Sequence, residues 1–259
     1  MLFFIVSFLA STVGAICGIG GGVIIKPVLD MLRLETVTAI SFLSGCTVLS
    51  MTCYSVGRSM LAGERRVAPR TGTPLAAGAA LGGLLGKQLF TFIRGLFENQ
   101  NAVGAVQAAS LAAVTLGTLI YTVHKSRIRG KRVQNPAACA AIGLALGVMS
   151  SFLGIGGGPI NLVVLFYFFG MDTKTAAANS LYIILFSQLA SVLAAIAAHE
   201  VPPFQWTALL LMVAGGIGGG VAGRALNRRM DEKTVDRLFI GLMAVIIGIS
   251  VYNVWQYSR

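Results

Sequence analysis

The chain has 259 residues, of which 56% are hydrophobic and only 11% are charged, and its mean hydropathy is +0.80. Soluble globular domains carry about 25% charged residues, so this composition excludes an ordinary soluble fold and indicates an integral membrane protein. The net charge is +11, and the basic residues lie between apolar runs without interleaved aromatic residues. This arrangement disfavours nucleic-acid binding and favours positively charged cytoplasmic loops.

Apolar runs long enough to cross a bilayer, which takes about 20 residues, recur along the whole chain. Two of these runs, at 1–32 and 136–169, are too long for a single span. The run at 1–32 lacks the basic start and the cleavage site of a signal peptide. We therefore expect it to be retained and predict an all-α polytopic membrane protein. The eight runs lie at approximately 1–32, 37–57, 71–93, 102–123, 136–169, 175–198, 204–223 and 235–257.

Both overlong runs contain the same pentapeptide, Gly-Ile-Gly-Gly-Gly, at 18–22 and at 154–158. Each glycine in a helix interior costs about 1 kcal/mol relative to alanine, so the pentapeptide predicts a break in each helix. A half-helix should follow each break, over 23–32 and 159–169. Pro159 would lie in the first turn of the second half-helix, where its missing N–H is tolerated.

Three motifs recur in the same order in both halves, which indicates an internal duplication. Gly18 matches Gly154 at an offset of 136, Ala39–Phe42 matches Ala178–Leu181 at 139, and Ala77–Leu89 matches Ala214–Leu226 at 137. These offsets predict a three-residue insertion between the first two motifs. We predict a first repeat at 1–123 and a second at 136–259, joined by a basic cytoplasmic linker at 124–135.

The distribution of Lys and Arg predicts how the runs cross the membrane. If all eight runs span, the basic residues divide almost equally between the two sides. They concentrate in the cytoplasm if the run at 136–169 enters and leaves on that side. By symmetry we predict that the run at 1–32 also re-enters, so each repeat has three full spans. An odd number of crossings makes the repeats inverted.

Each break should expose the N-terminus of a half-helix at membrane depth. Free N–H groups and the positive end of the helix dipole attract anions, and discontinuous helices in inverted repeats form transporter sites near the midplane. The alternative is that each pentapeptide is a tight turn between packed helices. Asn161 and the repeated serines Ser41 and Ser180 would add donors or would simply support helix packing.

Several charged and sulfur-bearing residues allow more than one interpretation. Lys26 would be a fixed charge that favours anions or the partner of Asp30 one turn later. Lys87 and Arg224 fit interfacial anchors, and Glu200 fits an external loop. The four cysteines lie in apolar runs without metal-binding or disulfide spacing, and only Cys17 adjoins a break. Gly218, Gly220 and Gly223 have the spacing of a dinucleotide-binding motif, but no strand precedes them and they lie in an apolar span. No P-loop, metal motif or nucleophile-base pair is present, so we expect no enzyme activity, metal or cofactor.

The segments Gly14–Leu29 and Gly147–Leu165, with the glycine-rich spans that follow them, resemble the sulfite exporter TauE/SafE family over nearly the whole chain. The resemblance implies secondary transport of sulfite or organosulfonates such as sulfoacetate, outward across the bacterial inner membrane. It also implies that Pro27 and Pro159 belong to the site, although Pro27 comes four residues later than its counterpart.

Together, the breaks and the resemblance give the candidate substrate-binding residues Gly18, Ile19, Gly20, Gly21, Gly22, Lys26, Pro27, Ser41, Gly154, Ile155, Gly156, Gly157, Gly158, Pro159, Asn161 and Ser180. Import of thiosulfate or a related anion, and an anion channel of the same fold, are the alternative functions. The expected partners are the substrate anion and the lipid bilayer, and a homodimer is left open.

Overall fold

The computed structural model describes residues 1–64, 69–96, 100–125, 128, 130–155 and 157–258. All regular secondary structure within these residues is helical. In chain order the helices are α1 (Leu2–Cys17), α2 (Gly22–Leu32), α3 (Val37–Leu61), α4 (Pro69–Leu96), α5 (Gln100–His124), α6 (Pro136–Phe152), α7 (Pro159–Phe169), α8 (Thr173–Ala197), α9 (Trp206–Arg229) and α10 (Glu232–Tyr257).

Six of these helices are long and apolar enough to cross a bilayer: α3, α4, α5, α8, α9 and α10. They contain between 24 and 28 residues, or about 36–42 Å at 1.5 Å per residue, which exceeds a hydrocarbon core of about 30 Å. The prediction of an all-α polytopic membrane protein is confirmed.

The two overlong runs are both broken at their glycines, as predicted. Gly18 ends α1 in the left-handed conformation with φ 76°, and its N–H donates to the carbonyl of Gly14. Gly154 and Gly157 also have positive φ, at 64° and 123°. These backbone conformations favour glycine over residues with a Cβ. Pro159 lies in the first turn of α7, where the sequence predicted it.

Each broken helix packs against the glycine-rich span of the other half: α1 lies on α9, and α6 lies on α4. A Cβ added to any of six interface glycines would come within 2.0 to 2.7 Å of a backbone atom. Glycine therefore permits backbone contact between these helices. The glycines are Gly78, Gly82 and Gly86 on α4, and Gly215, Gly219 and Gly223 on α9.

The contacts correct the predicted register of the two halves. Helices α3 and α8 both have 25 residues and begin 136 positions apart. Gly83 on α4 faces Ser187 on α8, whereas its counterpart Gly220 on α9 faces Met51 on α3. Met51 and Ser187 are again 136 positions apart. The predicted three-residue insertion is therefore wrong, and Ser41 and Ser180 are not counterparts. A shift of three residues nearly equals one helical turn, so it preserves the apparent face of each helix.

The ends of α3 and α8 are also equivalent. Thr36 and Asp172 are the N-caps, and each accepts a backbone N–H three residues later. Gly63 and His199 follow the C-termini with φ of 67° and 54°. The assignment of two repeats, at 1–123 and 136–259, that cross the bilayer in opposite directions stays a prediction.

Candidate substrate path

The two glycine tracts, tract 1 (Gly18–Gly22) and tract 2 (Gly154–Gly158), touch each other inside the protein. Gly156 lies outside the described residues. A Cβ at Gly22 would lie 2.0 Å from the carbonyl oxygen of Ile155. This contact between main chains requires glycine and brings the two predicted breaks together.

Each tract also contacts a span of the opposite half. A Cβ at Gly18 would lie 2.3 Å from the Cα of Ala177 on α8, and a Cβ at Gly154 would lie 2.7 Å from the hydroxyl oxygen of Ser41 on α3. These two contacts are equivalent, since Ser41 and Ala177 are 136 positions apart. The tracts are therefore held between α3 and α8.

The backbone N–H groups at the start of α2 have few partners. Gly18 and Ile19 both donate to the carbonyl of Gly14, at 2.9 and 3.1 Å. The N–H groups at positions 20–23 form no hydrogen bond with any described residue, although these residues are buried. Buried N–H groups are nearly always hydrogen-bonded in native proteins. The first break therefore presents uncommitted donors at a helix N-terminus.

A first cavity, cavity 1, has a volume of about 440 Å³ and lies among the C-terminal ends of α3 and α9 and the N-terminal part of α8. Among the described residues, its charged lining residues are Glu64, Lys174, Arg224 and Arg228. Cations outnumber carboxylates in this wall, so the cavity is suited to an anion rather than to a cation.

A second cavity, cavity 2, has a volume of only about 40 Å³ and lies near the opposite ends of α3 and α8. Its charged lining residues are Lys87, Arg94 and Glu200. Most residues of cavity 1 have a counterpart 136 or 137 positions away in cavity 2. The matched positions, with the cavity 1 residue first, include Ala15 and Ser151, Ser55 and Ser191, Glu64 and Glu200, Ala177 and Ser41, Arg224 and Lys87, and Asn227 and Phe90.

The matched helices run in opposite directions between the two cavities. The first part of α3 lines cavity 2 and its last part lines cavity 1, whereas α8 begins at cavity 1 and ends at cavity 2. The two cavities are therefore equivalent spaces at opposite ends of the helices, one wide and one narrow.

The glycine tracts form the partition between these cavities. Ala177 lines cavity 1 and lies directly against Gly18, whereas Ser41 and Gly154 both line cavity 2. Between them, Gly22 meets the carbonyl of Ile155. The two tracts therefore lie between residues that line the two cavities.

Comparison with known families agrees with this architecture. The model of the family described as Sulfite exporter TauE/SafE matches residues 3–251. The protein belongs to the sulfite exporter TauE/SafE family. With its six apolar helices, it is a multi-pass membrane transporter protein of that family, and the resemblance seen in the sequence is confirmed.

Curated relatives bear similar names. The chain is 26% identical over 270 residues to the probable membrane transporter protein YunE of Bacillus subtilis, which covers 94% of each chain. It is 30% identical over 118 residues to the probable membrane transporter protein MamO of Magnetospirillum gryphiswaldense, covering 44% of this chain and 19% of MamO. A probable membrane transporter protein of Xylella fastidiosa is 30% identical over 45% of this chain and 43% of its own. No solved structure matches.

Lys26 forms the ion pair that the sequence offered as one alternative. Its Nζ lies 2.6 Å from Oδ2 of Asp30, and both side chains are 4% exposed. The Cε of Lys26 lies 3.4 Å from the position of a Cβ on Gly154. The charge thus lies beside tract 2 but is compensated by its own helix. Pro27, between these residues, accepts a hydrogen bond from Asn253.

Three predicted polar residues have side chains without hydrogen-bond partners among the described residues. Both amide atoms of Asn161 and the hydroxyls of Ser41 and Ser180 are in this state. Asn161 is 1% exposed, and its Nδ2 lies 3.5 Å from the position of a Cβ on Gly157. Unpaired buried amides are costly, so Asn161 has donors and an acceptor available beside tract 2.

The apolar predicted residues are structural neighbours of the path. Ile19 and Ile155 are 0% and 1% exposed, and both lie in hydrophobic clusters. Pro159 is also buried. Cys17, also fully buried, packs in the same cluster as Ile19. Ile19, Ile155 and Cys17 thus pack in apolar clusters beside the tract glycines.

The sequence interpretation missed two charged pairs. Nη2 of Arg224 lies 2.8 Å from Oε1 of Glu64, and Nζ of Lys87 lies 3.9 Å from Oε2 of Glu200. Arg224 and Lys87 are therefore ion-paired in cavity walls and are not simple interfacial anchors. The signal was present, since Glu64 and Glu200 are 136 positions apart.

Proposed function

We propose that the protein is a secondary transporter that exports small sulfur-containing anions, sulfite or an organosulfonate such as sulfoacetate, by alternating access. The observation that carries this proposal is the partition by two touching glycine tracts between equivalent cavities of unequal volume. A transporter needs such a barrier, whereas helix packing alone gives no reason to break two helices at membrane depth.

The charge of the cavities supports an anion as the substrate. Each cavity has more cationic than carboxylate side chains in its wall. The uncommitted N–H groups at positions 20–23 lie at the positive end of α2, where anions are favoured. The amide of Asn161 supplies further donors on the opposite tract. An oxyanion would exchange its hydration shell for these groups as it passes the tracts.

The unequal cavities correspond to one of two access states. Because their linings are equivalent, exchanging the conformations of the two halves would widen cavity 2 and narrow cavity 1. The basic residues around cavity 1 belong to the group that the positive-inside rule assigns to the cytoplasm. We therefore assign the wide cavity to the cytoplasmic face and the present conformation to an inward-facing state.

The driving force for export need not involve ATP. A membrane potential that is negative inside favours the exit of each negative charge by about 2.3 kcal/mol per 100 mV. A single negative charge on the substrate would therefore be expelled about fifty-fold against its gradient at that potential. The membrane potential alone therefore supplies enough free energy for export by uniport.

Flux of sulfite from proteoliposomes tests the proposal. Vesicles loaded with sulfite should release it with saturable kinetics when a potassium diffusion potential is imposed, faster when the direction of the potential favours exit. Preloading the opposite side with unlabelled sulfite should accelerate exchange, which distinguishes a transporter from a channel. Accumulation of thiosulfate against its gradient would support an importer instead. Flux no greater than in protein-free vesicles, for sulfite and sulfoacetate alike, would contradict the proposal.

A further inference from the structure

Among the charged residues that line the two cavities, one arrangement occurs in both. Arg224 and Glu64 line cavity 1, and their counterparts Lys87 and Glu200 line cavity 2. The other charged residues have no charged match in the opposite lining: Lys174 corresponds to Thr38, Arg228 to Thr91, and Arg94 to Asp231, which does not line cavity 1. A cation and a carboxylate thus occur at equivalent positions of two walls whose other charges differ.

The carboxylates are held by the same backbone structure. Glu64 donates its N–H to the carbonyl of Ser59, and Glu200 donates its N–H to the carbonyl of Ala195. The preceding residues, Gly63 and His199, both adopt positive φ. His199 takes up this conformation although a residue with a Cβ disfavours it. The position of the carboxylate is therefore maintained in the second half despite a backbone cost.

The two cations have hydrogen-bonding capacity left over. Arg224 donates Nη1 to the carbonyl of Ser55 at 3.0 Å and Nη2 to Glu64 at 2.8 Å, so among the described residues three of its five N–H donors remain. Lys87 forms no hydrogen bond with any described residue. It lies 5.5 Å from the centre of the Phe90 ring, and its side chain is 20% exposed.

The carboxylates differ in how firmly they hold their cations. Glu64 makes direct contact with Arg224. In contrast, Oε2 of Glu200 is 3.9 Å from Nζ of Lys87 and accepts a hydrogen bond of 2.9 Å from the hydroxyl of Thr91. At 3.9 Å no hydrogen bond joins the ammonium to the carboxylate. Lys87 is thus a poorly compensated cation in the narrow cavity, and such a group favours an oxyanion with several acceptor oxygens.

We propose that Arg224 and Lys87 are equivalent oxyanion-binding residues, one in each cavity, and that Glu64 and Glu200 are resting counter-ions that the substrate replaces. This inference rests on the proposed function and adds the residues that receive the anion on each face. The anion meets Arg224 in cavity 1, passes the glycine tracts, and meets Lys87 in cavity 2. Each carboxylate prevents permanent capture of the anion because it competes for the same cation.

Transport of sulfite measured from each face separately tests the two sites. Right-side-out and inverted vesicles present opposite cavities to the added anion. Lys87→Gln should raise KM about ten-fold for sulfite offered at the cavity 2 face and change it less than two-fold at the other face, and Arg224→Gln should do the reverse. Glu200→Gln should lower KM at the cavity 2 face about three-fold, because it removes the competing carboxylate.

Conservative and remote variants separate binding from structure. Lys87→Arg and Arg224→Lys should retain KM within about three-fold, and Arg33→Gln, an exposed cation that lines neither cavity, should resemble the wild type. Thermal unfolding in detergent identifies any variant that fails to fold, in which case the conservative variant carries the test. Equal changes at both faces, or no gain in affinity from Glu200→Gln, would overturn the inference while leaving the proposed function intact. Absence of wild-type sulfite flux would contradict the proposed function itself.

Discussion

The half-helices α2 and α7 follow the two glycine tracts and have the same length of 11 residues, but their chemistry differs. Lys26 and Asp30 form a buried ion pair on α2, whereas the equivalent positions on α7 are occupied by Leu162 and Phe166. The backbone break thus occurs in both halves, whereas the buried charges occur in only one. Backbone geometry and electrostatics therefore have separate roles in this path.

The two tracts also differ in how closely their last glycines are packed. Gly22 is pressed against the carbonyl of Ile155, whereas a Cβ on its counterpart Gly158 would meet nothing closer than the Cδ1 of Ile155 at 3.3 Å. Gly158 has an extended backbone that any residue adopts. Only the first tract needs glycine at this position, although both tracts contain it.

The largest expected effect concerns the ion pair. Lys26→Leu would leave Asp30 buried without its cation and should cost about 3–5 kcal/mol of stability. The double variant Lys26→Leu with Asp30→Leu should recover most of this, since it reproduces the apolar character of α7. Thermal unfolding in detergent measures both. A double variant as unstable as the single one would contradict this account of the asymmetry.

The same double variant shows whether Lys26 contacts the substrate. If the ion pair serves stability alone, a folded double variant should transport sulfite with the wild-type KM. A clear rise in KM without loss of folded protein would instead identify Lys26 as a substrate ligand.

The next effect compares the two tracts. Gly22→Ala should destabilise the protein by about 1–3 kcal/mol through overpacking and should strongly reduce transport, because the tracts must separate at their point of contact. Gly158→Ala should remain close to wild type, since its neighbour is the end of a flexible side chain. Unfolding temperature and sulfite flux should both separate the two variants, and equal behaviour would contradict the role assigned to the Gly22 contact.

A smaller effect distinguishes a binding amide from a structural one. Asn161→Ala should raise the KM for sulfite about ten-fold, equivalent to about 1.4 kcal/mol, with little loss of stability, since it removes no hydrogen bond within the described residues. Asn253→Ala is the matched control, because Asn253 donates to the carbonyl of Pro27. It should lower stability and leave KM unchanged. Reversed outcomes would exclude Asn161 from the binding site.

The N-caps of α3 and α8 allow a comparison by pH. Burial raises the pKa of Asp172, but hydrogen bonds from the amide and hydroxyl of Thr175 outweigh it and hold that pKa below its usual value. Its cap therefore stabilises α8 fully above the unfolded pKa of about 3.9 and loses this contribution as pH falls through the lower folded pKa. Asp172→Ala should cost about 1 kcal/mol at pH 7 and progressively less in acid. The cost of Thr36→Ala should not follow this pH dependence.

The smallest effect concerns the loop ends. His199→Gly should relieve a left-handed conformation worth about 1–2 kcal/mol but add about 0.5–1 kcal/mol of unfolded-chain freedom. A net gain of about 0–1.5 kcal/mol is expected, visible as a small rise in unfolding temperature. Gly63→Ala should have the opposite sign, since Gly63 has φ of 67°. A loss of stability in His199→Gly would contradict the equivalence of the two loop ends.

Much of the fold could be predicted because its signals are local. Hydropathy located the six spans, and the glycine pentapeptides located both breaks, including the start of α7 at Pro159. The register of α3 against α8 could not be read reliably, since a shift of three residues resembles a helical turn. The ion pairs of Lys87 and Arg224 were missed for a different reason: a cation near the end of an apolar run looks like an interfacial anchor until its partner is known.

The amino-acid sequence by itself determined that this chain is a membrane protein and that two of its helices break at the same pentapeptide, because both properties depend on residues close together in the chain. Tertiary structure alone decided that the two tracts touch, and that Arg224 meets Glu64 across 160 positions. Those contacts depend on how helices from opposite halves pack, and their distances are set by backbone approach at glycine, which no local pattern specifies.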